Sequence, residues 1–309
     1  MNKPLVAVVV GPTASGKTSL AIELAKLFDG EIVSADSMQI YKGMDIATAK
    51  PTKKEQEGIP HHLISIIGSD ELFSVNEFKK SAIEAIDSIL LKNKLPIVAG
   101  GTGFYIDTLV NNTEFLDYEK NGVRSELEKK AAEEGIASLY DELSEIDPDT
   151  ARKLHLNDEK RIIRALEVYK STGMTISDQC RLSHLNESDY RFCIIGINAR
   201  DRQILYDRIN LRVDLMLEAG LVEEAKQFFS SDVSATAKQA IGYKELKPWL
   251  DGLCSFEEAV EKLKMESRRY AKRQLTWFRK RDNINWIYID GKSKEETVSQ
   301  AADILRSYM

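Results

Sequence analysis

The segment Gly11-Pro12-Thr13-Ala14-Ser15-Gly16-Lys17-Thr18 lies between an apolar run at residues 5–10 and a helical pattern at residues 17–28. It matches G-x-x-x-x-G-K-[ST] in the strand-to-helix context that this pattern requires. The two glycines let backbone amides turn inward, the helix N-terminus adds partial positive charge, and the lysine adds a full charge. The sequence therefore predicts a diphosphate cradle formed by Gly11, Thr13, Ala14, Ser15, Gly16, Lys17 and Thr18.

The predicted cradle also indicates a metal ion. The Thr18 hydroxyl is placed to hold Mg²⁺ that is bound to the same phosphates. This expectation rests on Thr18 and the diphosphate, since the sequence shows no cluster of metal ligands. An ordinary glycine-rich turn is the alternative, and the flanking strand and helix argue against it.

Short apolar, β-branched runs around the loop predict buried parallel strands at residues 5–10, 31–35, 95–99, 191–198 and 285–290. Between about residues 111 and 189 the strand pattern stops and only helical segments follow. We therefore predict an α/β fold, namely a P-loop NTPase-like core with a parallel sheet flanked by helices, plus an inserted all-helical lobe. The predicted core comprises residues 1–112 and 190–309, and the predicted lobe comprises residues 113–189.

Composition limits the class of protein. The 309 residues are 43% hydrophobic and 30% charged, which is typical of a globular protein, and the net charge of −6 argues against indiscriminate coating of nucleic acid. Three scattered cysteines favour neither a disulfide framework nor a zinc site. Without a signal peptide or an apolar stretch near the roughly 18 residues of a membrane helix, we expect a cytoplasmic protein that does not bind membranes. Nothing in the sequence requires a protein partner or more than a monomer.

Two polar turns follow predicted strands at the sheet edge where α/β proteins bind ligands. Asp36, in Asp36-Ser37-Met38-Gln39-Ile40-Tyr41, is either a turn carboxylate or a general base beside the cradle. Gly100-Gly101-Thr102-Gly103 is either a tight turn or a close approach of backbone to a ligand. Thr102 is the side chain of that turn that can donate a hydrogen bond to a substrate.

Several other polar residues keep two interpretations each. His61-His62 has no third ligand at a suitable spacing, so a solvated or hydrogen-bonded pair is favoured over a metal site. Arg208 and Arg212, one helical turn apart, face either solvent or an anion. A cationic group near the start of a lobe helix is either a solvated face or a binding face; it consists of Lys160, Arg161 and Arg164.

Residues 262–281 hold nine lysines or arginines and a single acid, Glu266. Their spacing places two adjacent basic stripes on one helix, with Tyr270 and Trp277 interleaved. Such a face suits a polyanion, because phosphates bind electrostatically and aromatic rings can stack on unpaired bases. A solvated basic helix is the alternative.

A phosphate loop beside a carboxylate allows more than one chemistry. In a small-molecule kinase, the loop would hold the phosphates of ATP and Asp36 would activate a hydroxyl. In a transferase, the loop would stabilise a leaving allylic diphosphate, and the nucleophile would come from a nucleic acid bound to the basic helix. A third hypothesis is a non-catalytic RNA-binding protein regulated by a nucleotide, in which Asp36→Ala would leave function intact.

Six motifs, in one order along nearly the whole chain, resemble the bacterial tRNA dimethylallyltransferases. They are Gly11 to Thr18, Asp36 to Lys42, Gly100-Gly101-Thr102, Arg161 within residues 157–167, Gly242-Tyr243 and Lys272-Arg273-Gln274-Leu275-Thr276-Trp277. The zinc finger that eukaryotic relatives carry at the C-terminus is not seen here. The resemblance implies transfer of a dimethylallyl group from dimethylallyl diphosphate to N6 of the adenosine 3′ of the anticodon, in tRNAs that read codons beginning with U.

The resemblance also implies roles for particular residues. Asp36 would remove the N6 proton, Thr102 would hold that base or the scissile oxygen, and Lys17 and Arg208 would bind the diphosphate. The adenosine would be flipped out of the anticodon stem-loop into a channel. The residues implied to contact the tRNA are Asp36, Ser37, Met38, Gln39, Thr102, Arg124, Lys160, Arg161, Arg164, Gln239, Gly242, Tyr243, Lys244, Lys272, Arg273, Gln274, Thr276, Trp277 and Arg279.

Overall fold

A computed structural model describes residues 3–116, 118, 121–183 and 187–309. The strands within these ranges form one parallel sheet of six strands: β1 Leu5–Val10, β2 Gly30–Ser34, β3 His61–His62, β4 Leu95–Gly100, β5 Arg191–Asn198 and β6 Asn285–Tyr288. Their order across the sheet is β3-β2-β4-β1-β5-β6.

β1 lies at the centre of the sheet, between β4 and β5. Val6 to Val10 are fully buried, as a strand covered on both faces requires. Val10 is in register with Gly100 of β4 and with Gly196 of β5. The chain therefore leaves β1 at the carboxyl edge between two neighbours that follow it much later in the sequence, which is the kind of position where open α/β sheets bind ligands.

Helices make up most of the rest of the described chain. Serine caps with a glutamate three residues later form capping boxes at the helices that begin at Val75, Phe256 and Lys294, which explains where these helices begin. The helices are α1 Lys17–Leu27, α2 Val75–Leu91, α3 Gly103–Val110, α4 Val123–Glu134, α5 Ile136–Ile146, α6 Pro148–Ala151, α7 Glu159–Thr172, α8 Ile176–Ser183, α9 Arg202–Glu218, α10 Leu221–Ser230, α11 Tyr243–Leu250, α12 Phe256–Phe278 and α13 Lys294–Arg306.

Two hydrophobic clusters support the sheet and its carboxyl edge. One packs α1 and α13 against the strands, with Leu24, Ile97 and Leu305 among its buried members. The other joins the segment after β2 to α9, α10, α11 and α12, and includes Met44 and the fully buried Tyr243. The second cluster positions the helices that surround the candidate site.

The described chain divides into two compact units. One comprises Met1–Ile106 with Asp189–Met309, and the other is Asp107–Ser188. The second unit contains α4 to α8 and has its own buried cluster, to which Leu127, Leu139, Leu143 and Leu166 belong. Each unit thus has the separate apolar core that a structural domain needs.

The predicted α/β fold with a parallel sheet flanked by helices and an inserted helical segment is confirmed. The two-residue β3 was not predicted, and neither were α6, α8, α10 and α11. Residues 42–58 form turns without a helix. His61 and His62 are each hydrogen-bonded to another residue, as expected for a pair that does not bind metal. The Nδ1 of His61 bonds the Ile59 carbonyl oxygen, and the Nε2 of His62 bonds the Glu31 carboxylate, each at 2.8 Å.

Two negative observations apply to the described ranges only. They contain no group of three or more His, Cys, Asp or Glu residues arranged to hold a metal ion. Among the helices listed above, none combines the length and the hydropathy that a membrane span needs.

Candidate active site

The glycine-rich loop between β1 and α1 has the backbone that its sequence predicts. Gly11 lies at φ +150°, and a Cβ there would be too close to the Ile197 carbonyl oxygen of β5. Gly16 caps α1 in a left-handed conformation. The loop therefore turns sharply out of the sheet and places its amides at the positive end of α1.

Lys17 is the cation of this loop. Its ammonium donates a hydrogen bond to the Pro12 carbonyl at 2.7 Å. Burial, reinforced by repulsion from Arg212 and partly offset by Asp36, lowers the pKa of Lys17 to about 7. Two cations held side by side in this way form a site that an anion stabilises.

Two hydroxyls of the loop fit a bound diphosphate and its metal. Within the described part of the chain, the buried Ser15 hydroxyl has no hydrogen-bond partner. Thr18 is exposed in the first turn of α1. Since no carboxylate cluster is present among the described residues, Mg²⁺ here would bind Thr18 and take its other oxygens from the diphosphate and water, which suits a hard cation.

Asp36 follows β2 and is held by a local turn. Its Oδ1 accepts hydrogen bonds from the amides of Met38, at 2.9 Å, and Gln39, at 3.4 Å. The Ser37 amide donates to the Thr102 hydroxyl at 3.0 Å, which ties this turn to the one after β4. The turn interpretation of Asp36 is thus correct for one oxygen, and it fixes the carboxylate in place.

The glycines of the second turn make close approaches to protein atoms. A Cβ on Gly100 would collide with the backbone of Ala35, and one on Gly101 would collide with the amide of Gln274. A Cβ on Gly103 would overlap the Trp277 ring. The tight-turn interpretation therefore accounts for these glycines.

Gln274, on α12, is buried between the phosphate loop and the turn that follows β4. Its Oε1 accepts from the Thr13 amide at 2.8 Å, and its Nε2 donates to the Gly101 carbonyl at 3.0 Å. This side chain holds the phosphate loop against the turn that carries Thr102. Gln274 is 5% exposed and lines the cavity described next, so its expected contact with tRNA stays a prediction.

The phosphate loop and the Asp36 turn line one cavity of about 300 Å³. Its polar lining includes Lys17, Asp36, Arg212, Tyr270 and Arg273. Its apolar lining includes Ala47, Ile209, Val213, Met216, Ala240 and Leu263. The site thus combines an anion cradle, a carboxylate and an apolar compartment, which an allylic diphosphate needs.

A second cavity, of about 630 Å³, shares Lys17, Thr18 and Arg212 with the first. Arg208, predicted as a diphosphate ligand, lines this second cavity and is exposed. Arg212 lines both cavities, whereas the sequence alone allowed it to face either solvent or an anion. Its position one helical turn from Arg208 was the signal that could have identified it.

Comparison with known proteins identifies the family. The model of the IPP transferase family matches residues 39–281. The chain belongs to the IPP transferase family. A tRNA dimethylallyltransferase of Acetivibrio thermocellus is 53% identical over 95% of this chain and 94% of the relative.

Solved structures of similar proteins cover nearly the whole chain. A tRNA delta(2)-isopentenylpyrophosphate transferase from Staphylococcus epidermidis is 44% identical, with a TM-score of 0.72 over 99% of this chain and 100% of that one. A eukaryotic dimethylallyltransferase acting on tRNA is 30% identical, with a TM-score of 0.79 over 98% of this chain and 80% of that one.

In this IPP transferase, most residues expected to meet the tRNA around the cavity do line it. They are Asp36, Ser37, Met38, Gln39, Gln239, Gly242, Lys244, Arg273 and Gln274. Tyr243 differs, because it is fully buried and its hydroxyl donates to Glu224 at 2.7 Å. Its side chain is not accessible to an RNA, so the expected contact by Tyr243 is corrected.

The basic helix α12 of the transferase presents a partly neutralised face. Lys272, Arg273, Thr276 and Arg279 are exposed. Arg269 is paired with Glu266 at 2.7 Å, and Arg268 donates to Asn210 at 2.6 Å. Trp277 is half-buried, and its ring contacts Phe104 edge-on at 6.4 Å between centroids.

The expected contact residues of the helical unit differ in how they are paired. Arg124 and Arg164 both bind the Glu167 carboxylate, at 3.3 and 3.1 Å. Arg161 lies 3.7 Å from Asp158 and is exposed, as is Lys160. The Arg161 side chain, 69% exposed, is more open to solvent than that of Arg124 at 44% or Arg164 at 50%.

Proposed function

We propose that this protein transfers a dimethylallyl group from dimethylallyl diphosphate to N6 of the adenosine 3′ of the anticodon, in tRNAs that read codons beginning with U. The observation that carries the proposal is that the phosphate cradle and Asp36 line one cavity with an apolar compartment. The names of the relatives support it, since several are called tRNA dimethylallyltransferase. We assign the reaction to the cytoplasm, where it would meet its tRNA.

The cradle would bind the diphosphate as a leaving group. Loop amides, Lys17 and Arg212 would stabilise the charge that grows on its oxygens as the bond to the allylic carbon breaks. Arg208 would assist from the second cavity. When bound through Thr18, Mg²⁺ would supply additional positive charge to the same oxygens.

Asp36 would act as the general base. The N6 lone pair of adenine is delocalised into the ring, so the amine attacks well only as it loses a proton. The new C–N bond forms while the C–O bond breaks, its electron pair leaves with the diphosphate, and the N6 proton passes to Asp36. Because the Met38 and Gln39 amides occupy Oδ1, we assign the proton to Oδ2.

The tRNA would bind through the anticodon stem-loop. The exposed face of α12, with Lys272, Arg273, Thr276 and Arg279, suits the phosphates, and Lys160 and Arg161 of the helical unit add further cations. The flipped adenine would enter the cavity beside Ser37, Gln39 and Thr102.

The test is incubation with unmodified tRNA, Mg²⁺ and radiolabelled dimethylallyl diphosphate, followed by digestion to nucleosides. We expect label on an adenosine and release of diphosphate, without ATP. Absence of label, together with ATP-dependent phosphorylation of a small alcohol, would replace this proposal with a kinase.

A further inference from the structure

Glu224, in the first turn of α10, binds the loop at residues 45–47 through the backbone. Its Oε2 accepts from the amides of Asp45 and Ile46, both at 2.8 Å, and its Oε1 accepts from the amide of Ala47 at 2.9 Å. Three consecutive amides thus converge on one carboxylate. Hydrogen bonds to a charged acceptor are shorter and stronger than those to a neutral one, so this loop is firmly held.

The same carboxylate also binds the opposite segment. Tyr243 donates to Oε1 at 2.7 Å, and its ring stacks on Phe228 with 4.2 Å between centroids. Burial and the Glu224 carboxylate raise the pKa of Tyr243, so its hydroxyl stays protonated and remains a donor. Glu224 therefore ties residues 45–47 to the start of α11.

Both tied segments are walls of the cavity. Ala47, Thr48 and Ala49 form one wall, and the segment from Gln239 to Gly242 forms another. The two walls touch, since a Cβ on Gly242 would lie 3.0 Å from the Ala47 Cβ. Because the two walls are held in contact, together they close one side of the cavity beside the phosphate cradle.

We propose that Glu224 is a positioning residue that fixes the width of the cavity and thereby restricts the transferred group to a five-carbon chain. The inference rests on the proposed function and names its substrate limit. Glu224 does not itself line the cavity among the described residues, so it acts through Ala47 and Tyr243.

The expected effect of changing Glu224 follows from the number of hydrogen-bond donors that share its carboxylate, namely three backbone amides and the Tyr243 hydroxyl. If Glu224 becomes glutamine, an amide group faces donors that need an acceptor, and at least one backbone amide loses its partner. The loop at residues 45–47 can then shift away from Gly242. A wider cavity accepts additional methylene groups, for which a rigid apolar pocket discriminates by about 10- to 200-fold per group.

The experiment compares kcat/KM for dimethylallyl diphosphate with that for geranyl diphosphate, using unmodified tRNA, in the unchanged protein and in Glu224→Gln. We expect Glu224→Gln to lower the dimethylallyl-to-geranyl ratio by about tenfold. Glu223→Gln is the matched control, because this exposed neighbour on the same helix lies 3.9 Å from Lys226 and is not among the residues that line the cavity. It should leave the ratio unchanged.

An equal fall in kcat/KM for both diphosphates in Glu224→Gln, or no change in kcat/KM for either, would overturn the inference. Should Glu224→Gln fail to fold, Tyr243→Phe decides instead, because it removes one of four hydrogen bonds and keeps the ring. Its ratio should fall by about threefold, and an unchanged ratio would reject the inference. If the unchanged protein transfers no dimethylallyl group, the proposed function fails instead.

Discussion

At the scale of single residues, Lys17 and Arg212 show how the site is prepared for an anion. Burial lowers the pKa of both groups, and repulsion from Arg212 adds to the effect on Lys17, whose pKa falls to about 7. The same surroundings that disfavour an unpaired ammonium favour one that meets a phosphate, because electrostatic attraction is strong away from bulk water. Binding energy is therefore concentrated at these two side chains.

Lys17 makes diphosphate binding dependent on pH. Above about pH 7 the free ammonium is largely deprotonated, whereas a bound diphosphate raises its pKa and restores the proton. We expect uptake of nearly one proton on binding at about pH 8 and little uptake at about pH 6. Calorimetric titration with dimethylallyl diphosphate, without tRNA and in buffers of different ionisation enthalpy, measures this number. Equal uptake at both pH values would contradict the assignment.

Asp36→Asn should reduce turnover while sparing the complex with tRNA. The amide keeps the turn through its carbonyl oxygen but cannot accept the N6 proton, so we expect kcat to fall by about 10²- to 10⁴-fold. Single-turnover kinetics and tRNA binding, measured side by side, separate the two effects. A loss confined to tRNA affinity would remove Asp36 from the role of base.

At the scale of elements, α12 has two faces with different tasks. The exposed face carries Lys272, Arg279 follows directly as the C-cap, and the buried face carries Gln274. A single helix thus carries the surface proposed to bind tRNA on one face and contacts the phosphate loop with the other.

The exposed face is tested by salt dependence. A plot of log affinity for tRNA against log salt has a negative slope. Replacing Lys272 and Arg279 by glutamine should make that slope shallower by about 1.4, because each phosphate contact on single-stranded RNA contributes about 0.7. Arg306→Gln on α13, an exposed arginine paired with Asp303, is the control. A slope equal to that of the control would exclude α12 from the interface.

The buried face is tested by Gln274→Ala. The variant leaves the Thr13 amide and the Gly101 carbonyl without their partner, so the phosphate loop loses its support. We expect KM for dimethylallyl diphosphate to rise by about tenfold, with tRNA affinity and its salt slope unchanged. If tRNA affinity fell instead, Gln274 would be an RNA contact after all.

Sequence patterns predicted those elements whose signal is local. β1 and β5 match their predicted bounds because a continuous apolar run specifies a buried strand. The helices α10 and α11 were missed. In α10, Leu221, Ala225 and Phe228 stand at helical spacing, a local signal that could have identified it, whereas α11 contains Pro248, which disfavours a helical interpretation. β3 has only two residues, too few for a periodic signal.

In the candidate site, too, the sequence predicted the residues whose signal is local and missed the roles that depend on distant partners. The cradle and Asp36 follow from spacing and position, whereas the tasks of Gln274, Tyr243 and Glu224 depend on partners distant in sequence. Thr13 and Gln274, for example, are 261 residues apart. A motif shows that such residues belong together, but only the tertiary contacts distinguish a residue that meets the substrate from one that holds a wall.

At the scale of the whole molecule, the separate core of residues 107–188 should make this unit respond independently to mutation. Leu143 is fully buried in its cluster. We expect Leu143→Ala to destabilise the unit by about 2–4 kcal/mol and to accelerate hydrogen exchange in α4, α5 and α7. Exchange in β1 and β4, followed by mass spectrometry, should stay unchanged. Equal acceleration in both units would mean that they unfold as one.

The central place of β1 also bears on synthesis of the chain. β1 is made first, but its neighbour β5 ends at Asn198 and β6 lies near the end of the chain. During translation, residues 107–188 leave the ribosome before the sheet that precedes them can gain its fifth and sixth strands. The hydrogen-bonding edge of β1 that pairs with β5 must therefore stay unpaired until residues 191–198 have been made, and an unpaired strand edge is a site for aggregation during that interval.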